Sequence, residues 1–517
     1  MKLCTKRHKR LYIEIIVVAA LFGLALYVVT YMLPSAYMLT KPLNVYDEGF
    51  LVTGAKRIAQ GEVPYRDFWA LYQPFNYLML SGIFKIGGES IMVERLYASA
   101  LGFFNLGALY LLFRMKTGRL MAGFAALTFL LFMSPMKLFH GLLIISITLI
   151  TYLLGRKKES GRWAYVVGIL VGLTFITRLD FGLLIGFVAF VSTFLLYGKQ
   201  MKKIIMMNAK MACGFLIVYI PILIWLGING ALLPYVQQTL YYPFFGGFVA
   251  QRQLLLPSIL SPWKGIGGTL SFIVNWYFWV VVIGVFIGGM LLTKYKRIQK
   301  QFIVFFILCM GSLPYLFQRT DFPHLVGINI LGLAFIYYVI ITGAIKDKRL
   351  YIAVFIVPLL LFYYPFKTYF LRSYTEPTAM RVYSYYEMPL PVSEHNDNLE
   401  RLRDDVLQTV DKNEPLYIGL ADHSTLFINN SMLYFMLPNP IATRYHELHP
   451  GVANTVPVQR EIIGELEKVD YVVLWDYFYC EPNESCVGTD VTLIDDYIDD
   501  NFSQLRHYGA YQLMKRK

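Results

Sequence analysis

TYLLGRKKESGRWAYVVGILVGLTFITRLDFGLLIGFVAFVSTFLLYGKQMKK, Thr151 to Lys203, decides the fold. Two apolar runs, 163–178 and 181–198, meet at the polar step Arg178-Leu179-Asp180 and are bracketed by basic clusters at 156–162 and 199–210. Each run approaches the roughly 20 residues a helix needs to cross the hydrocarbon of a bilayer. Basic residues gather on the cytoplasmic side of such helices, so the clusters read as inside and the Arg178–Asp180 turn as outside.

Working outward, further clusters at 2–10, 114–119, 294–300 and 346–349 keep the same alternation, and all six together hold 23 of the 34 basic residues before Lys367. Apolar runs near 12–33, 94–113, 120–135, 138–155, 163–178, 181–198, 209–229, 271–293, 302–318, 325–343 and 350–366 predict a polytopic α-helical membrane protein with about 11 transmembrane helices. Of 11 acidic residues in that stretch, eight fall in the alternate loops: Asp47, Glu48, Glu62, Asp67, Glu89, Glu94, Asp180 and Asp321. Chemistry is therefore expected on the outer face.

A chain of 517 residues that is 56% hydrophobic and 16% aromatic is too apolar for a soluble protein. Its net charge of +13 conceals a split, with +23 before Lys367 and −10 after it. The basic excess is thus topology signal rather than nucleic-acid affinity. The run Ile15 to Leu33 lacks a small-residue cleavage site and reads as an uncleaved first helix with a cytoplasmic N-terminus.

Two domains are expected: a membrane domain over 1–366, with long external loops at 34–93 and 230–268, and a small extracytoplasmic α/β domain over 367–517. In the latter, Leu416–Leu420 and Tyr471–Trp475 read as buried strands, Val458–Lys468 as an amphipathic helix, Leu493–Phe502 as an acidic helix and Tyr508–Met514 as a final strand. Cys480 and Cys486 are close enough in sequence to close a disulfide loop in an oxidising compartment.

Asp47 and Glu48 lie in Asn44-Val45-Tyr46-Asp47-Glu48-Gly49-Phe50, where a helical pattern begins. A helix cap is one reading, since carboxylates satisfy free amides and favour the positive end of the dipole. The loop continues through Gly61-Glu62-Val63-Pro64-Tyr65-Arg66-Asp67-Phe68 and Gln73-Pro74-Phe75-Asn76-Tyr77-Leu78 to Glu94-Arg95-Leu96. Over roughly Asn44 to Leu101, this arrangement resembles the GT-C integral-membrane glycosyltransferases, and within them the protein mannosyltransferase and aminoarabinose transferase branch. The resemblance implies a GT-C-like fold, a polyprenyl-phosphate sugar donor, and Asp47 as catalytic base or acceptor-orienting group with Glu48 beside it.

A sugar on a polyprenyl phosphate already carries a good leaving group, so such an enzyme needs a base for the acceptor and cations for the phosphate. Arg178, and Arg319 with His324 in Gln318-Arg319-Thr320-Asp321-Phe322-Pro323-His324, are the donor-phosphate candidates, because a guanidinium grips phosphate in two places. Asp67, Asp180 and Asp321 would support them; the alternative for each Arg–Asp pair is a salt bridge pinning a helix hairpin. Arg252 and Lys264 are weaker phosphate candidates, and either could equally snorkel. His446, Glu447 and His449 suggest a metal only weakly, because Pro450 and Gly451 end any helix that would align them. A loop closing over the active site or touching the acceptor is the preferred reading, no metal ligand set is assigned, and a divalent cation is left open.

The sequence thus predicts a multi-pass plasma-membrane transferase acting on an unidentified lipid, glycan or protein acceptor, with membrane lipid and the donor as partners and no nucleic acid. A transporter or flippase of lipid-linked sugar is the alternative, although acidic residues cluster at one face and no internal repeat is evident. A non-catalytic envelope scaffold is the third reading. It would not need carboxylates and arginines brought together from distant loops.

Overall fold

The computed structural model describes residues 45, 47–115, 117–127, 129, 138–154, 161–245, 282–286, 300–311, 322–341, 394–425, 429–449, 451–476 and 488–517. The chain forms two compact units, one of Met1–Leu39, Leu96–Ile220 and Leu254–Pro377, the other of Thr40–Arg95, Pro221–Gln253 and Thr378–Lys517. The described helices up to the tail are α1 (Asp47–Ala59), α2 (Phe75–Gly87), α3 (Ile91–Arg114), α4 (Arg119–Leu127), α5 (Leu138–Leu154), α6 (Trp163–Thr177), α7 (Leu179–Tyr197), α8 (Met201–Ile228), α9 (Lys300–Gly311) and α10 (Phe322–Ile341). A short irregular helical stretch, with a π-helical turn at Gln237–Tyr241, follows α8.

Among the described residues, α3, α7 and α8 are long and apolar enough to cross a membrane. In α8 only 17% of the most apolar window is buried inside the protein, and Ile217, Ile220, Ile224 and Ile228 are exposed. A helix apolar on all sides yet little covered by protein is suited to a lipid surround. The expected runs at 12–33 and 350–366 lie outside the described residues, as does most of that at 271–293. In the first unit, Phe113 of α3 and Tyr337 of α10 meet Phe129 at centroid separations of 6.1 and 5.2 Å, and Phe305 of α9 packs edge-on against Phe335 at 5.6 Å. Gly168 and Gly214 let α6 and α8 approach until a Cβ at either position would overlap the facing backbone, the small-residue contact common between membrane helices.

The second unit contains α11 (Glu394–Thr409), β1 (Leu416–Leu420), α12 (Ser431–Met436), α13 (Val456–Leu466), β2 (Tyr471–Trp475), α14 (Leu493–Asn501), β3 (Phe502–Tyr508) and β4 (Tyr511–Arg516). Its sheet has the order β1-β2-β4-β3, with β1 and β2 parallel and the other pairs antiparallel. All of β1 and four of the five β2 residues are buried, which is why both read as unbroken apolar runs. The acidic helix stops at Asn501 rather than Phe502, and β3 begins where no strand was predicted. This edge strand has five consecutive exposed residues, so it carries no alternating apolar signal; Gly509, at φ +58°, makes the turn into β4.

Candidate active site

The site begins at the first turn of α1, where Asp47 and Glu48 meet the positive end of the helix dipole. Arg95, in the first turns of α3, reaches back to Glu48 at 3.3 Å, and both side chains are largely buried. That pair neutralises Glu48 and gives the Glu-Arg-Leu motif a structural meaning. Asp47 is half-buried.

α1 is held rigidly by the tail within the same unit. Gly49 lies so close to α12 that a Cβ there would sit 2.7 Å from the Met432 amide nitrogen. Thr53 donates its hydroxyl to the Ser431 carbonyl at 2.8 Å, and the buried Lys56 ammonium donates to the carbonyls of Tyr434 and Leu437 at 3.1 and 2.6 Å. Burial pushes the Lys56 pKa down to about 8, a shift the Glu89 charge partly opposes. Arg57 donates to the Thr443 and Asp67 carbonyls and pairs with Glu62 at 2.7 Å, its guanidinium lying 5.0 Å from the Phe68 ring centroid.

Beside this helix the 65–72 loop packs on tail residues 444–449. The Trp69 amide donates to the Arg444 carbonyl at 2.9 Å, while Phe68 meets the His446 ring edge-on at 5.2 Å and Trp69 lies 5.3 Å from His449. Asp67 accepts from Arg66 and from the Val63 amide at 2.7 Å. The Arg66 hydrogen bond is the main reason its carboxyl is held below the usual range, so Asp67 closes its own loop. Asn429 is fully buried and donates to the carbonyls of Ile418 and His446.

The group that sequence reading did not join to Asp47 is Glu447. Its side chain is 2% exposed, and burial, reinforced by the Asp47 charge, pushes its pKa up to about 8. Oε1 is 3.8 Å from His449 Nε2, and Oε2 has no hydrogen-bond partner among the described residues. Nor has the buried Tyr77 hydroxyl, whose pKa is raised well above normal by burial and then by the Glu447 charge. His446 is held well below its usual pKa by burial and then by Arg57, with a smaller opposing effect from the Phe50 main chain. The sequence suggests that this loop closes over the active site or touches the acceptor, but carries no sign that Glu447 itself, 400 positions from Asp47, is buried.

Arg178 lies in the other unit, between α6 and α7. It hydrogen-bonds Asp180 at 2.8 Å and stacks over Phe181 at 5.0 Å, a pairing that fits both a pinned hairpin and an oriented guanidinium. Arg319, Asp321, Arg252, Lys264, Cys480 and Cys486 fall outside the described residues; His324 is within α10, in a stretch where only the backbone is described. Among the described residues no three His, Cys, Asp or Glu side chains form a group able to hold a metal ion.

No family model matches the chain, and no curated protein matches its sequence. Its structure is nevertheless similar to that of ArnT from Cupriavidus metallidurans bound to undecaprenyl phosphate, with a TM-score of 0.57 and 14% identity over 96% of this chain and 97% of that one. The apo form of the same ArnT gives a TM-score of 0.56 at 14% identity, covering 97% of each chain. The fold is GT-C. Within a GT-C fold, the carboxylates of α1 stand in the segment whose motifs carry the sequence resemblance.

Proposed function

We propose that the protein is a membrane glycosyltransferase that moves a sugar from a polyprenyl phosphate to an acceptor on the extracytoplasmic face, with inversion at the anomeric carbon. The observation that carries this reading is a first-turn aspartate on a helix immobilised along its length, in a chain with a GT-C fold. Asp47 takes the proton of the acceptor hydroxyl or amine as that atom attacks the anomeric carbon. The bond from that carbon to the phosphate oxygen breaks, and polyprenyl phosphate leaves. Glu48, paired to Arg95, keeps the turn in place without adding net charge. Fixing the base before the substrates arrive removes orientational cost from the transition state.

Arg178 and Arg319, with His324, are proposed to hold the donor phosphate, with Asp180 and Asp321 orienting the two arginines and Asp67 shaping the loop beside the base. The undecaprenyl phosphate bound by ArnT supports this donor class. Purified protein in lipid, given a radiolabelled undecaprenyl-phosphate sugar and an envelope extract as acceptor source, should release free undecaprenyl phosphate and label the acceptor. Labelled lipid crossing a vesicle bilayer intact, with no cleavage, would instead establish the flippase alternative.

A further inference from the structure

We infer that Glu447 is a positioning residue of the Asp47 site: a neutral carboxyl whose proton keeps the pair at a single negative charge, so that turnover fails when that proton is lost. This role depends on the transferase reading above. Geometry comes first: the tail loop carries Glu447 into a place almost without solvent, and one carboxyl oxygen has no hydrogen-bond partner among the described residues. A carboxylate there would be a buried charge with one oxygen unsatisfied among the described residues and His449, at 3.8 Å, the ion-pair partner of the other, which costs more than a neutral acid.

The surrounding groups agree. Asp47 on α1 faces Glu447 as a like charge, and Tyr77 on α2 presents a hydroxyl that stays protonated. On its own loop, His446 is held neutral by burial and Arg57, and His449 is 3.8 Å away. Among the described residues, Glu48 pairs with Arg95 and Arg57 with Glu62. Gly49 of α1 abuts Met432, and the adjoining Ser431 donates its hydroxyl to the His446 carbonyl at 3.0 Å, so the two carboxyls belong to one packed region, where a single ionisation is favoured over two. With Glu447 protonated, Asp47 remains the anionic base; with both ionised, the site repels a donor that itself carries a phosphate.

The test uses the full chain in lipid nanodiscs with a radiolabelled undecaprenyl-phosphate sugar. Wild-type turnover should fall about tenfold per pH unit on the alkaline side, following loss of one proton, and Glu447→Gln, which keeps a donor but cannot ionise, should flatten that limb. Infrared titration of the same samples should show a protonated-carboxyl band at neutral pH that disappears over the same interval and is missing from the Gln variant. Asp47→Asn should move the band to lower pH, a readout that serves even if the Gln variant fails to fold. An alkaline limb unchanged in Glu447→Gln, a band absent from wild type, or a band unmoved by Asp47→Asn would each overturn the role of Glu447. No consumption of the donor by wild type would instead overturn the transferase reading, and this role with it.

Discussion

Lys56 shows how much of this site is secured by single side chains. Its ammonium bonds two carbonyls at the end of α12, so Lys56→Met removes two buried hydrogen bonds at a cost of roughly 1–3 kcal/mol, read as a lower unfolding temperature. Burial lowers its pKa from the ordinary 10.5 to about 8. Between those values the unfolded chain binds the proton more tightly than the native one, so native stability should rise as pH climbs through that interval. The rise should be absent in Lys56→Met; a variant with the wild-type melting temperature and pH slope would contradict this account. That a lysine in Gly54-Ala55-Lys56-Arg57-Ile58 is buried could not be read from sequence, where it looks like the polar face of an interfacial helix.

At the scale of elements, the seat of α1 depends on two glycines. A side chain at Gly49 meets the α12 backbone, and one at Gly54 meets the Tyr77 ring, both at 2.7 Å for the first carbon alone. Gly49→Val should therefore lower thermal stability and abolish turnover together, whereas Gly82→Ala, with nothing within 4 Å, should be tolerated with a small gain in helix stability. Loss of activity in Gly82→Ala would mean that local packing is not what matters. Strands β1 and β2 and the helices α13 and α14 were legible because burial on both faces, or on one, writes a period into the sequence. The exposed β3 wrote none. The docking of residues 47–59 on 429–443 was equally invisible, since its hydrogen bonds end largely on backbone carbonyls, which carry no sequence signature.

For the whole molecule, the legible part was the alternation of apolar runs with basic clusters, a consequence of the cost of burying unpaired charge in hydrocarbon. It predicts which side each segment faces. In a chain freed of its native cysteines, Ser503→Cys should react with an impermeant maleimide added to intact cells, and Gln200→Cys only after permeabilisation. The reverse pattern would invert the topology and move Asp47 to the cytoplasm. What the linear sequence could not supply was the burial of Glu447 and Tyr77, which acquire their character only in the folded chain.

The central claim is that Asp47 is the base of a polyprenyl-phosphate-dependent sugar transfer. Single-turnover release of undecaprenyl phosphate by Asp47→Asn, measured beside wild type with donor binding and melting temperature as controls, tests it most directly. Loss of at least about 100-fold in rate, with binding and melting temperature nearly unchanged, is the predicted result; wild-type release by the Asn variant would contradict the account.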